Sequence, residues 1–124
     1  MKVIFKFEGV VVEGKKRGRL LGFPTANIIL ESNIPEGIYA AKASARKKEY
    51  LAAVFIGKPK TFNENDYKAE AYLLDFSEEL YNETLRIDLY HKIRDNRKFQ
   101  SSDELVDQMK KDIKEVTRYF QVHI

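Results

Sequence analysis

The sequence predicts a mainly β protein, a small antiparallel barrel of five or six strands with one C-terminal helix closing one side. Three observations carry this. Short segments rich in Val, Ile, Phe and Tyr alternate with polar residues at a period of two. The links between them are too short for crossover helices, which leaves antiparallel neighbours. A helical apolar period occurs only near the C-terminus. A sheet this small hides its edges by closing on itself.

Residues 3–13 read as the first strand. Val3, Phe5 and Phe7 alternate with Lys2, Ile4 and Lys6, and Val10-Val11-Val12 continues the run. Gly9 inside it predicts a bulge or a sharp bend. A loop begins at Gly14, and residues 26–30 return to a β-like apolar run. Pro35-Glu36-Gly37 marks a turn, with Pro presetting φ and Gly closing it. Residues 38–45 and 50–57 form a hairpin across Arg46-Lys47-Lys48-Glu49. That link lacks the Asn-Gly or Asp-Gly pair that would specify its turn type. Alanines on both arms predict tight curvature or close packing between layers.

Lys68–Phe76 is the next strand, with Ala69, Ala71 and Leu73 on one face and Glu70, Tyr72, Leu74 and Phe76 on the other. Residues 77–82 turn the chain. Leu85, Ile87 and Leu89 mark a further strand, with Arg86, Asp88 and Tyr90 opposite. Residues 91–100 read as a basic loop carrying Phe99. Ser101 and Glu104 form a capping box. Leu105, Met109, Ile113, Val116 and Phe120 then recur at steps of three and four, the core stripe of an amphipathic helix. Asp103 and Glu104 in its first turn and Arg118 in its last complement the helix dipole.

The 124 residues suit one domain, 1–124. Cysteine is absent, which excludes disulfide and thiolate chemistry and fits a reducing, cytoplasmic setting. His91 and His123 are the only histidines, so a His-rich metal centre is excluded. No apolar run approaches the ~18 residues of a membrane span, and residues 1–6 have no signal-peptide apolar region. Net charge is +3, with basic clusters at 15–19, 46–48 and 92–98. Local clusters fit a small phosphorylated ligand at least as well as a nucleic acid, which calls for a stronger basic stripe.

Four features bear on candidate chemistry. Gly18-Arg19-Leu20-Leu21-Gly22-Phe23-Pro24-Thr25-Ala26-Asn27 follows the basic run Lys15-Lys16-Arg17. Bare backbone, positive charge and short oxygen ligands suit phosphates and a metal ion, although the same composition fits a surface loop entering a strand. Gly57–Tyr67 is a polar loop whose Gly57-Lys58-Pro59-Lys60-Thr61 fails the GxxxxGK[ST] phosphate motif. Glu70 shares a face with bulky neighbours, where desolvation raises a carboxylate's pKa and tunes a general base. The competing reading of Glu70 is a solvated strand end. Arg94 and Phe99 offer a grip for a planar ring and an acidic group, or form an ordinary solvated connection.

These residues resemble the riboflavin kinase family, the ATP-dependent type of bacteria and eukaryotes. In bacteria that domain is usually the C-terminal half of a bifunctional riboflavin kinase/FAD synthetase. The resemblance covers almost the whole chain. It rests on Gly-Phe-Pro-Thr-Ala-Asn at 22–27, on Gly37-Ile38-Tyr39, and on Ile56-Gly57 followed by Lys60-Thr61-Phe62. It continues through Glu70-Ala71-Tyr72-Leu73-Leu74-Asp75-Phe76, Leu80-Tyr81, and Ile93-Arg94 with Lys98-Phe99. One departure is visible: the family's second loop carries Pro-Thr-Phe, whereas Lys60 here separates Pro59 from Thr61-Phe62.

The resemblance implies a six-stranded Greek-key barrel with a C-terminal helix. It also implies transfer of the γ-phosphate of ATP to the 5′-hydroxyl of riboflavin, giving FMN and ADP. By residue it implies Glu70 as the catalytic base, and Thr25 and Asn27 as ligands of Mg²⁺ or another divalent cation such as Zn²⁺. It places Gly14, Gly18, Arg19, Thr25, Asn27, Phe62 and Asn63 on the nucleotide. It places Ile87, Tyr90, Arg94, Arg97 and Phe99 on the flavin. The expected partners are riboflavin and ATP alone, with no nucleic acid and no membrane, and the expected state is a monomer. The 124 residues do not include the adenylyltransferase domain of the bifunctional enzymes; if they are the full protein, it is expected to make FMN but not FAD. The competing readings are a non-catalytic flavin- or nucleotide-binding barrel and a small-barrel nucleic-acid binder.

Overall fold

The computed structural model describes residues 1–12, 25–31, 33–58 and 67–123. These hold β1 (Phe5–Val10), β2 (Thr25–Ile29), β3 (Gly37–Ala45), β4 (Lys48–Gly57), β5 (Lys68–Leu73), β6 (Thr84–Arg94) and α1 (Ser102–Val122). The strands form one sheet in the order β1-β6-β3-β4-β5-β2, with antiparallel pairing throughout. β3, β4 and β5 are hairpin-connected; β2 lies beside β5 and β6 beside β3. Each arrangement is a Greek key, and the two overlap. The sheet curls into a half-barrel whose edge strands approach at a bridge, where Val12 N–H donates to the Asn27 carbonyl at 2.8 Å.

Alternation fills the concave side. Tyr39, Ala41 and Ala43 of β3, Val54 and Ile56 of β4, Ala69 and Ala71 of β5, and Leu85, Ile87 and Leu89 of β6 form one buried cluster. The convex side carries a second, smaller cluster. There Ala40 and Ala53, direct partners across β3 and β4, lie with Val116 and Phe120 of α1. Small side chains at that pair let the helix approach the sheet closely, while Ala41, Ala43, Ala45 and Ala52 of the same arms face the concave cluster.

Gly9 has a different role from the expected bulge. β1 pairs with β6 in unbroken register from Phe5↔Leu89 to Val10↔Thr84. A Cβ at Gly9 would lie 2.5 Å from Ile28 Cγ2, so glycine permits β1 and β2 to close together. The register shifts fall between β3 and β6, at Ile38/Tyr39 and Ala40/Ala41.

Strand limits also differ from the periodic reading. β5 ends at Leu73, Asp75 takes φ 59°, and Phe76 joins the concave cluster beside Tyr50. The predicted common face therefore breaks after Tyr72. β6 runs on through Arg94, so residues 91–94, read as loop, are strand paired to β3.

The β3–β4 hairpin turns through Arg46 and Lys47, with φ 51° and 66°. Two left-handed central residues make a type I′ turn, which usually selects Asn-Gly. A long-range contact offsets the strain at Arg46. Its Nε and Nη2 donate to Glu83 at 3.0 and 2.7 Å, it pairs with Glu78, and its guanidinium lies 6.0 Å over Phe76. These hydrogen bonds hold the Glu83 carboxyl below the usual range.

Glu104 N–H donates to Ser101 Oγ at 3.1 Å, the N-cap half of the expected capping box, while the Glu104 carboxylate pairs with Arg97 rather than reaching back to Ser101. Met109, Val116 and Phe120 are buried, while Leu105 and Ile113 are half-buried and Asp112 takes a buried place beside them. The helix extends to Val122, so Arg118 lies short of its last turn, which holds no basic residue. Among the described residues no helix is long and apolar enough to cross a membrane.

A residue with a side chain pays about 1 kcal/mol for the left-handed region. Lys47→Gly is therefore expected to raise stability by about 0.5–1 kcal/mol. The check is a higher urea midpoint at unchanged m-value.

Candidate active site

β2 and β5 pair so that Asn27 lies opposite Glu70 and Thr25 opposite Tyr72; Phe55 of β4 flanks Glu70 on its other side. Period two puts these side chains on the convex face, since Ala26, Ile28, Ala69 and Ala71 fill the concave one. Directly opposed residues bring their Cβ atoms to about 5 Å. The expected metal ligands and the expected base, far apart in sequence, are thus immediate neighbours.

Glu70 is 3% exposed and Asn27 1%. The solvated-strand-end reading of Glu70 is thereby overturned. A buried carboxylate requires hydrogen-bonding partners. The Tyr72 hydroxyl donates to Glu70 Oε1 at 3.0 Å.

Asn27 Oδ1 meets no donor among the described residues. Such a buried acceptor costs about 1–3 kcal/mol and is rare in native proteins. The Thr25 hydroxyl sits two residues along the same face. An amide oxygen and a hydroxyl side by side fit a hard cation such as Mg²⁺. No group of three or more His, Cys, Asp or Glu that could hold a metal occurs among the described residues. An ion here would complete its shell from water and phosphate oxygens. Gly14, Gly18, Arg19, Phe62 and Asn63 lie outside the described residues.

A second cluster forms where β6 meets α1. Arg94 Nε and Nη2 donate to the two Asp112 oxygens at 2.8 and 2.7 Å, and Gln108 Nε2 donates to Asp112 Oδ1 at 3.0 Å. Arg97 pairs with Glu104 and donates to Gln108 Oε1 at 3.2 Å. Both guanidiniums lie over Phe99, at 6.0 and 5.0 Å from its ring centre. Asn96 Nδ2 donates to the Ile56 carbonyl at 3.2 Å, lodged against Gly57, whose φ is 151° and whose missing Cβ would stand 2.8 Å from that nitrogen. Asn96, Arg97 and Phe99 therefore anchor this segment, while Asp95, Arg97 and Lys98 remain exposed.

The expected flavin residues do not all converge. Arg94, Arg97 and Phe99 form one cluster. Tyr90 packs edge-on against Phe120 at 5.4 Å, with Lys42 Nζ 5.5 Å from its ring centre; burial raises its hydroxyl pKa. Ile87 is fully buried in the concave cluster. Sequence reading passed over Asp112, Gln108 and Asn96. Asp112 leaves a trace in sequence as an acid at core-facing helical spacing from Met109 and Val116.

Comparison with known proteins adds the following. A flavokinase family model, described as riboflavin kinase, matches residues 1–120. The bifunctional riboflavin kinase/FMN adenylyltransferase of Bacillus subtilis is 40% identical over 119 residues, which cover 91% of this chain and 38% of that protein. The RNA-binding riboflavin kinase RibR of the same organism is 37% identical over 116 residues, covering 92% of this chain and 50% of RibR. The crystal structure of riboflavin kinase from Trypanosoma brucei superposes with a TM-score of 0.66 at 26% identity, covering 94% of this chain and 79% of that one. The chain thus spans half or less of the two Bacillus relatives.

Asp112 is 4% exposed and Arg94 reaches it from a partly open position. Asp112→Ala strands a guanidinium that water reaches only in part. The expected loss of stability is about 2–3 kcal/mol, read as a lowered urea midpoint.

Proposed function

The chain belongs to the riboflavin kinase family, and on that premise we propose that it transfers the γ-phosphate of ATP to the 5′-hydroxyl of riboflavin, giving FMN and ADP. The observation that carries this reading is the cross-strand pair of Asn27 and Glu70: a buried amide oxygen with no donor among the described residues, set against a buried carboxylate.

Phosphoryl transfer asks a protein mainly for positioning and charge neutralisation. Thr25 and Asn27 hold a divalent cation through hard oxygens, which favours Mg²⁺ over a softer ion such as Zn²⁺. Bound there, the cation neutralises phosphate charge. Glu70 accepts the proton of the ribityl hydroxyl as that oxygen attacks the γ-phosphorus and the bond to ADP breaks. Its burial excludes water as a competing proton acceptor. Gly14, Gly18 and Arg19, with Phe62 and Asn63, serve the nucleotide. Phe99, braced by Arg94 and Arg97, offers a ring face to the flavin, while Ile87 and Tyr90 serve the packing of the sheet, Ile87 in the concave core and Tyr90 against Phe120. The reading takes small-molecule partners only, with no nucleic acid or membrane, and a monomer in the cytoplasm.

Glu70→Gln keeps the shape and removes the basic oxygen. FMN formation from riboflavin, ATP and Mg²⁺ is expected to fall by about 10²-fold or more, since general bases typically contribute ~10²–10⁴-fold. Unchanged turnover removes Glu70 from this role, and tight flavin binding without any FMN favours a non-catalytic module. For Asn27→Leu the stability is expected to stay within about 1 kcal/mol of the parent, because an apolar group replaces an unsatisfied one. Its Mg²⁺-dependent turnover is expected to be lost. A large drop in melting temperature would mark Asn27 as structural instead.

A further inference from the structure

We propose that Tyr72 is a positioning residue for Glu70, its phenol holding the carboxylate's orientation and its ring transmitting the support of α1. The inference rests on Glu70 acting as the base. Tyr72 and Glu70 are two residues apart on one strand and face the same side, and the phenol donates to Oε1 at 3.0 Å. The ring is itself held. It packs against Ala40, Ala53, Val116 and Phe120, and Ala53 is its direct partner across β4 and β5.

A carboxylate side chain swings freely unless something fixes its terminal torsions, and a base is effective only when aimed. Tyr72 supplies that aim from a ring anchored in an apolar cluster. Lys68 is the other titratable residue on the same face of β5, and the flanking positions on β2 and β4 are Asn27 and Phe55, neither of which titrates.

The test compares Tyr72→Phe, Glu70→Gln and the double variant, with kcat and KM for FMN formation measured for each. Tyr72→Phe keeps the ring and its packing. It is expected to lower kcat about tenfold and to leave KM for riboflavin and ATP nearly unchanged, a split that loss of packing alone does not produce. The double variant is expected to be no slower than Glu70→Gln alone, because Tyr72 acts through Glu70. A parental kcat in Tyr72→Phe, or additive losses in the double variant, overturns the inference and leaves the base assignment standing. Full turnover in Glu70→Gln overturns both.

Discussion

Strand alternation makes every residue of the curled sheet face one of two environments, and the remaining features depend on that choice. The concave side is filled by apolar side chains, many of them alanine. The candidate site lies on the convex side. That surface is divided between α1, docked over Ala40 and Ala53, and the strip of β2 and β5 that presents Thr25, Asn27, Glu70 and Tyr72. The helix covers one part of the convex face and thereby defines the edge of the other.

The fold class was legible because period two and period 3.6 are local patterns. Val3 to Phe7, Leu85 to Leu89 and the Met109–Phe120 stripe needed no knowledge of their partners. Features set by distant residues were not legible. The Arg46-Lys47 turn violates local turn preference and is held by Glu78 and Glu83, far along the chain. Gly9 is glycine because of Ile28, a residue on a different strand. The end of β5 and the extension of β6 depend on which neighbour continues to pair, which propensity does not encode.

The site divides in the same way. That Glu70 and Tyr72 share a face could be read from alternation; that Asn27 stands opposite Glu70 is a matter of register, and no local signal sets it. Alternation could also have separated Ile87 from Tyr90, since adjacent parity in one strand sends them to opposite faces. The structure does so, with Ile87 in the concave core and Tyr90 against Phe120. The Arg94–Asp112 pair shows the limit of reading a basic segment as a ligand grip. Both carboxylate-facing nitrogens of Arg94 are committed within the protein, and what they secure is the placement of Phe99.

One rod serves both halves of this face. Glu104, Gln108 and Asp112 tie α1 to the Arg94–Phe99 cluster, while Val116 and Phe120 lie in the cluster that holds the Tyr72 ring. At a rise of about 1.5 Å per residue, the stretch from Gln108 to Val116 spans roughly 12 Å. The helix therefore works as a ruler between the aromatic clamp and the carboxylate. Its graduations are residues: adding or removing one between the two sets shifts the spacing by a single step and turns one set about 100° away from its partner.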